Sequence, residues 1–256
     1  SVQELEDLLA EVQKSGERIH LGQLLGICSI KHYEMPAALH TYKGRWCFQA
    51  PKTKDEQGAM ALFQTLHSKP TTVTATNLNL FHGCLPGNKL SSADAVRAYV
   101  QALLKAKHRT FVKLPRELWP QEWHKLGYKN PVVLLVQALY GHPEAGAQWE
   151  DHLTAVLKEL GGTVLPSFPS AFWFASTRML LTVYVDDLML SGPAEHHDSF
   201  WEELMKKVKL DEPEPVKRFL GRYHEFTEID APLTDIREFF TPQEKWAAGV
   251  EVEEAD

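Results

Sequence analysis

The chain has 256 residues, of which 44% are hydrophobic and 24% charged, an ordinary composition for a globular protein. No apolar run approaches the roughly 20 residues of a membrane helix, and the first residues lack the layout of a signal peptide, so no membrane partner is expected. The cysteines Cys28, Cys47 and Cys84 form no C-x-x-C pair, which excludes a zinc ribbon. We expect an intracellular protein, of the cytoplasm or nucleus.

The net charge of −7 is unevenly distributed along the chain. Residues 225–256 hold ten acidic side chains against Arg237 and Lys245, a net charge of −8, so residues 1–224 carry +1. The stretch 101–130 has seven Lys or Arg and only two Glu. Such a basic patch can follow a phosphate backbone, but a solvated surface with extended lysine side chains explains it equally well.

Hydrophobic periodicity and turn residues predict the following elements, in chain order: a helix at 3–14, a strand at 40–50, a poorly periodic helix within 59–81, a loop at 85–94, a helix from Ala95 to Lys105, strands at 109–115 and 132–136, a helix at 144–162, a strand at 168–176, a strand hairpin at 180–192, a helix at 196–210 and a strand at 216–226. Helices alternating with antiparallel-type strands predict an α+β fold, with one antiparallel sheet and helices on one face. The adjacent His196 and His197, which follow the hairpin, are candidate metal ligands, but we expect them on a solvated loop.

The predicted hairpin, LLTVYVDDLMLSG, carries two neighbouring carboxylates inside an apolar run. Burying a carboxylate is costly unless it is paired or binds a metal. Asp186 and Asp187 also suit a tight turn, but two-residue turns favour Asn-Gly or Asp-Gly, and no glycine follows until Gly192. The pattern therefore favours a metal site over a simple turn, and both interpretations remain open.

Asp94 likewise has two interpretations. It can be the N-cap of the helix that begins at Ala95, with Ser91 and Ser92 as alternative caps. It can also be a third carboxylate that the sheet brings beside Asp186. Two divalent cations about 3.5–4 Å apart share several oxygen ligands and stabilise the attacking and leaving oxygens of a phosphoryl displacement.

Five sequence blocks resemble the reverse transcriptases of copia-type (Ty1/copia) LTR retrotransposons. They are, in family order, HTYKGRWCFQA, DAVRAYVQALL, LYGHPEAGAQW, YVDD and RFLGRYHEF, and they span about 40–226. The resemblance implies a reverse-transcriptase-like palm, an antiparallel sheet with helices on one face, plus a reduced fingers region, with the thumb largely absent. It divides the chain into an N-terminal helical extension at 1–30, a fingers-like region at 31–93, a palm-like catalytic region at 94–226 and an acidic tail at 227–256.

The same resemblance implies roles for individual residues. Catalysis and metal binding would belong to Asp94, Asp186 and Asp187, with the Ala95 carbonyl as a further metal ligand; the nucleotide would be bound by Lys43, Arg45, Tyr99, Tyr140 and Gly141; and Tyr184 would contact the primer. An aromatic ring at Tyr99 would exclude a 2′-hydroxyl and so favour deoxynucleotides, although a core aromatic is the alternative. Trp149 is expected in the core.

The expected function is an RNA-directed DNA polymerase with two Mg²⁺ or Mn²⁺ ions as cofactors. Its expected partners are an RNA or DNA template with its primer and deoxynucleoside triphosphates. The chain does not begin with Met, so we expect a fragment or a processed piece, and other domains of a longer polyprotein are expected as further partners.

The blocks also depart from the family pattern. Pro143 stands where a basic residue is usual, and the segment after the first block is short. Two alternatives follow: a non-catalytic reverse-transcriptase-like module kept as a nucleic-acid or protein-interaction domain, or a remnant without function.

Overall fold

The computed structural model describes residues 2–31, 33–63 and 68–226, and the fold refers to these ranges. Five α-helices lie within them: α1 (Leu5–Ser15), α2 (Val73–Gly83), α3 (Gln121–Lys125), α4 (Ala145–Glu159) and α5 (His197–Met205). The strands of the same ranges are β1 (Val2–Glu4), β2 (Ile19–Lys31), β3 (Thr41–Phe48), β4 (Lys54–Asp55), β5 (Asn88–Asp94), β6 (Arg109–Lys113), β7 (Pro131–Leu134), β8 (Thr163–Leu165), β9 (Phe168–Phe174), β10 (Met179–Tyr184), β11 (Asp187–Pro193), β12 (Glu214–Pro215), β13 (Arg218–Phe219) and β14 (Arg222–Tyr223). The helices of this part of the chain are all too short or too polar to cross a membrane. The acidic tail predicted at 227–256 lies outside the described residues.

The first sheet has the strand order β1-β7-β6-β2-β3, with β4 paired to β2. Its pairs are antiparallel apart from β2 with β6, which is parallel. Helix α1 covers this sheet, because Leu8 and Val12 pack against Ile19, Phe111 and Val132. Strand β2 is 13 residues long and continues beyond this core, so β2 and β3 extend as an exposed two-stranded ribbon.

The second sheet has the order β12-β5-β11-β10-β9-β8 and is antiparallel throughout. Helices α4 and α5 cover one face, where Leu153 and Trp201 join the core that contains Leu181 and Leu190. Strand β10 is buried at five consecutive positions. A strand with such a continuous apolar run needs cover on both of its faces.

Helix α2 provides that cover on the opposite face. Its Asn79, fully buried, donates through Nδ2 to the Thr182 hydroxyl and to the Met189 carbonyl, both at 2.8 Å. The prediction that helices lie on only one face of the sheet is therefore wrong. The physical reason is that β10 and β11 present apolar side chains on both faces, so one helical layer leaves half of them in water.

The helix predicted from Ala95 to Lys105 is also wrong. Strand β5 runs up to Asp94, which is no helix N-cap, and only a short 3₁₀ turn follows at Ala98–Gln101. The Ala95 amide donates to the Asp186 carbonyl at 2.7 Å and the Val96 amide to the Lys209 carbonyl at 2.9 Å. Those amides are used between segments rather than along a helix, and Arg97 has a left-handed backbone with φ 54°, which interrupts any helix.

Most other predicted elements are confirmed, with differences at their ends. The N-terminal region 1–30, predicted to be helical, is helical only over α1, because β2 begins at Ile19. The helix predicted within 59–81 is found as α2 from Val73, and residues 64–67 of that range lie outside the described residues. Helix α1 ends at Gly16 in the left-handed conformation, and α4 and the hairpin of β10 and β11 lie where predicted. The segment 85–94, predicted as a loop, is mostly strand β5. The strand predicted at 216–226 is instead a small hairpin, since Leu220 and Gly221 both have positive φ and form a two-residue turn.

A buried chain of hydrogen bonds joins β5, β11 and α5. The Trp201 indole N–H donates to the Ser91 hydroxyl at 2.8 Å, and Ser91 Oγ lies 2.8 Å from His197 Nδ1. His197 Nε2 lies 3.2 Å from the Gly192 carbonyl. An indole only donates and a carbonyl only accepts, so the chain is complete when His197 is neutral with its proton on Nε2. His197 is fully buried, contrary to the prediction of a solvated loop.

Acid should weaken the fold through His197. Burial lowers the pKa of His197 from 6.5 to about 4, so the unfolded chain binds its proton first as the pH falls. We expect this contribution to stability to be complete above about pH 6.5 and to be lost between about pH 6.5 and about 4. The measurement is urea denaturation across this range.

His197→Gln, which keeps a donor toward Gly192 but does not titrate there, should give a shallower pH dependence than the wild type. His196→Gln, a neighbouring half-buried site, is the control and should retain the wild-type slope. Equal slopes in all three proteins would contradict the assignment.

The Asn79 amide should stabilise the fold measurably. Asn79→Ala leaves the buried Thr182 and Met189 oxygens without this donor, so we expect a loss of about 1–3 kcal/mol in the free energy of unfolding. Asn77→Ala, on the exposed side of the same helix, should change it by less than about 0.5 kcal/mol. A comparable loss in both variants, measured by chemical denaturation, would contradict the role of Asn79.

Candidate active site

The hairpin between β10 and β11 closes with a two-residue turn. Tyr184 and Asp187 form its last pair, which leaves Val185 and Asp186 as the turn residues. Val185 has φ 57°, a left-handed conformation that β-branched residues rarely adopt. Both turn carbonyls accept hydrogen bonds from outside the hairpin: Val185 from the Trp149 indole at 2.6 Å and Asp186 from the Ala95 amide at 2.7 Å. The turn is therefore held by its surroundings.

Three carboxylates meet at this turn. Asp94, the last residue of β5, is directly opposite Asp187, the first residue of β11, and Asp186 precedes Asp187 in the turn. Directly opposed side chains in an antiparallel pair have Cβ atoms about 4.5–5.5 Å apart. The side chains of Asp94 and Asp187 are close enough that each alters the pKa of the other. The sheet thus brings together the three aspartates identified in the sequence.

The proximity of the carboxylates changes the titration of Asp94 and Asp187. Burial, together with the charges of Asp94 and Asp186, raises the pKa of Asp187 to about 6, while the charge of Arg218 opposes this shift. Partial burial and the charge of Asp186 raise the pKa of Asp94, which nevertheless remains open to solvent. Neighbouring carboxylates that cannot all ionise favour either a shared proton or a bound cation.

The donor set fits a hard divalent cation, because carboxylate oxygens are the ligands that Mg²⁺ prefers. Among residues 2–31, 33–63 and 68–226, however, no group of three or more His, Cys, Asp or Glu side chains is arranged so that it could hold a metal ion. The Ala95 amide is hydrogen-bonded to Asp186, and the role of its carbonyl as a ligand stays a prediction. The aspartates are adjacent, and their side chains would have to turn toward a common ion.

A cationic and aromatic group lies beside the carboxylates. The Tyr99 and Tyr140 ring centroids are 4.6 Å apart, and the Arg45 guanidinium carbon lies 5.6 Å from the Tyr140 ring centroid. Burial raises the pKa of both phenols, and the charge of Asp186 raises each further, which places Asp186 within electrostatic range of the pair. Arg45 and Lys43 share one face of β3, and no carboxylate of the described residues forms an ion pair with either.

The comparison with known families agrees with this arrangement. A family model described as reverse transcriptase (RNA-dependent DNA polymerase) matches residues 89–231, more than half of the chain. The chain belongs to the reverse transcriptase family. The matched range begins in β5 and includes Asp94, Asp186 and Asp187. Membership supports a function of the RNA-directed DNA polymerase type, with nucleic-acid template, primer and nucleotides as general substrates, and reverse transcriptases generally use divalent metal ions.

Gly141 fixes the position of Tyr140 in this member of the family. Its φ of 86° is left-handed, and a Cβ atom there would lie 2.3 Å from the Phe48 carbonyl oxygen. The Phe48 amide donates to the Tyr140 carbonyl at 2.7 Å, so the loop lies directly against the end of β3. This contact holds the strand that carries Arg45 beside Tyr140. Gly141 therefore acts through close packing of backbone, and a direct contact with a nucleotide stays a prediction.

Tyr184 lies beside the carboxylates, because it is paired directly with Asp187 and shares its face of the sheet. Its side chain is 39% exposed, which leaves it accessible to a bound strand. Contact with a primer remains a prediction.

Several residues near the site were not identified from the sequence. Trp149 is in the core as expected, with 2% of its surface exposed, yet its indole also bonds the turn. Arg218 acts on Asp187, and Asp211 and Glu214 add negative charge near Asp94. The only available signal for Arg218 was its place in the RFLGRYHEF block.

The basic patch at 101–130 is partly neutralised within the protein. The Arg109 guanidinium donates to both carboxylate oxygens of Glu17, one of them at 2.6 Å, and lies 3.7 Å from Glu11. Arg109 is therefore not a free cation for a phosphate, whereas Lys105, Lys107 and Lys113 form no ion pair among the described residues. The basic patch available to a phosphate backbone is therefore smaller than the sequence predicts.

Replacing Gly141 should destabilise this junction. Gly141→Ala adds both left-handed strain, roughly 1–2 kcal/mol, and a clash with Phe48. Gly161→Ala is a matched control, because Gly161 has φ 90° but open space around its Cβ position. We expect a larger loss in the free energy of unfolding at Gly141 than at Gly161, measured by urea denaturation. Equal losses would show that the Phe48 contact adds nothing.

Proposed function

We propose that this chain is the RNA-directed DNA polymerase domain of a copia-like retrotransposon and acts inside the cell. In this proposal it transfers a nucleotidyl group to the 3′-hydroxyl of a primer held on an RNA or DNA template. The observation that carries the proposal is the pairing of Asp94 with Asp187 across β5 and β11, with Asp186 in the adjoining turn. The copia assignment is supported by the order of the five sequence blocks.

The carboxylates would act as a unit. Asp94, Asp186 and Asp187, together with the Ala95 carbonyl, would hold two Mg²⁺ or Mn²⁺ ions, which when bound lower the pKa of the attacking hydroxyl and neutralise the leaving pyrophosphate. The protein contributes the crowding of negative charge that makes cation binding favourable. Burial and the repulsion between the aspartates raise the pKa of Asp187 to about 6, and a bound cation would relieve the repulsion.

The cationic side of the site suits a triphosphate. Arg45 has no ion-pair partner among the described residues and is positioned by the Tyr140 ring. A guanidinium binds phosphate oxygens in a bidentate manner, and Lys43 on the same face of β3 adds a second positive charge. Tyr99, packed on Tyr140, would lie beneath the incoming sugar and exclude a 2′-hydroxyl.

Primer and template would be bound on the face of the second sheet that carries Asp187 and Tyr184. Tyr184 is adjacent to Asp187, which suits a contact with the last primer nucleotide. The template strand would use the remaining cations of the stretch 101–130. Other domains of a longer polyprotein are proposed as further partners.

The alternative is a non-catalytic reverse-transcriptase-like module that binds nucleic acid or protein. Two observations favour it: the aspartates of the described residues form no finished metal site, and Arg109 of the basic patch is neutralised by Glu17. The alternative differs from the main proposal in requiring binding without nucleotide incorporation.

Primer extension tests the proposal. On poly(rA)/oligo(dT) with Mg²⁺ or Mn²⁺, we expect the wild type to incorporate dTTP and Asp186→Asn to lose activity by on the order of 10²-fold or more. Asp151→Asn, an exposed position on α4, should behave as the wild type. Fluorescence anisotropy with a labelled primer–template measures binding in parallel.

The possible results separate the two candidates. Binding of primer–template without incorporation by the wild type would favour the non-catalytic module. Equal incorporation by the wild type and Asp186→Asn would contradict a catalytic role for the carboxylates.

A further inference from the structure

The turn that carries Asp186 has an unfavourable sequence for its conformation. Two-residue hairpin turns require positive φ, which Gly, Asn and Asp adopt readily. Here the first turn residue is Val185, with φ 57°, and a β-branched side chain at such a φ persists only where the surroundings impose it. Something outside the hairpin must therefore supply the stabilisation that the turn lacks.

Packing of the Val185 side chain does not supply it. A cleft lined by Tyr99, Trp149, Val183 and Val185 lies on the α4 side of the turn, so the side chain borders open space. Val185 is only partly buried, in contrast to Val183. Apolar contact alone leaves this backbone free to relax.

The geometry points to Trp149 as the residue that imposes the conformation, and we propose that it is a positioning residue for Asp186. Its indole N–H donates to the Val185 carbonyl at 2.6 Å, while its ring is 98% buried in the core beneath the sheet. A buried N–H that lost this acceptor would remain unpaired, at considerable cost. Because core packing fixes the Trp149 ring, the hydrogen bond from its indole also fixes the position of the Val185 carbonyl.

A second hydrogen bond links the turn to the segment that carries Asp94. The next backbone carbonyl, that of Asp186, accepts a hydrogen bond from the Ala95 amide, which follows Asp94 in the chain. The turn is thus held between α4 on one side and the end of β5 on the other. Rotation of the Val185 carbonyl away from Trp149 would turn the Asp186 backbone as well, and move its carboxylate relative to Asp94 and Asp187. This inference rests on the proposed role of Asp186 in catalysis.

The test is Trp149→Phe, which keeps an aromatic ring in the core but removes the N–H group together with part of the indole. Trp201→Phe is the matched control, because Trp201 is equally buried in the same core and its indole also makes one hydrogen bond, to Ser91 rather than to the turn. We expect Trp149→Phe to lower kcat for single-nucleotide incorporation on the order of 10²-fold, as misplacement of a catalytic group by about 1 Å does, with little change in KM for the nucleotide. The control Trp201→Phe should lower the melting temperature by about as much as Trp149→Phe does, but it should keep the wild-type kcat.

A readout that does not require activity accompanies the kinetics. In ¹⁵N-labelled protein, Trp149→Phe should shift the amide signals of Val185, Asp186 and Ala95, whereas Trp201→Phe should leave them unchanged. Replacing Val185 by glycine, which adopts positive φ without steric cost, should restore part of the lost kcat in the Trp149→Phe background. A merely structural role for Trp149 predicts no such rescue.

The outcomes are distinguishable. Unchanged amide signals in Trp149→Phe, or equal shifts of the turn in both Trp variants, would overturn the inference. If the wild type incorporates no nucleotide, the proposed function fails, and the amide signals still decide whether Trp149 positions the turn.

Discussion

The antiparallel pairing of β5 with β11 is the constraint on which the candidate site depends. It fixes a register in which Asp94 is opposite Asp187, although the two residues are far apart in sequence. A shift of one residue would move Asp94 to the other face of the sheet. The register is specified by the buried residues of both strands, since Ala93 and Leu188 belong to the core under α4 while Met189 belongs to the apolar group on the other side. Burial of the sheet on both faces therefore determines the spacing of the carboxylates.

The hydrogen bonds that reinforce this register lie away from the carboxylates. Ser91, His197 and Trp201 join β5 to α5 on one face, and Asn79 joins α2 to β10 and β11 on the other. Both networks are buried, where an unpaired polar group is costly and a complete network specifies one arrangement. The aspartates can repel one another without separating the strands because the strands are held elsewhere.

The sequence allows the site to be predicted better than the chain around it. The hairpin follows from the apolar residues flanking Asp186, and the resemblance of DAVRAYVQALL to a known polymerase motif predicts Asp94 as the third carboxylate. The helix predicted after Asp94 is wrong because "AYVQALL" has helical periodicity, while the amides of Ala95 and Val96 bond to segments more than 90 residues away. Local pattern cannot reveal such a partner. The prediction that helices cover only one face of the sheet is wrong for a related reason. The continuous apolar run of β10 needs cover on both faces, but the local pattern does not reveal which segment covers the second face.

Trp149 shows what the local sequence pattern cannot predict about a core residue. Helical periodicity correctly places it in the core, and a single buried aromatic gives no indication of where its N–H points. The structure shows that the same side chain fills the core with its ring and bonds the turn with its nitrogen. Left-handed strain at Val185 and repulsion at Asp186 both oppose the observed turn, and both are offset by contacts that originate in neighbouring elements. A site of this kind is built by the assembled sheet and helices, so its local sequence is expected to look unfavourable for its own conformation.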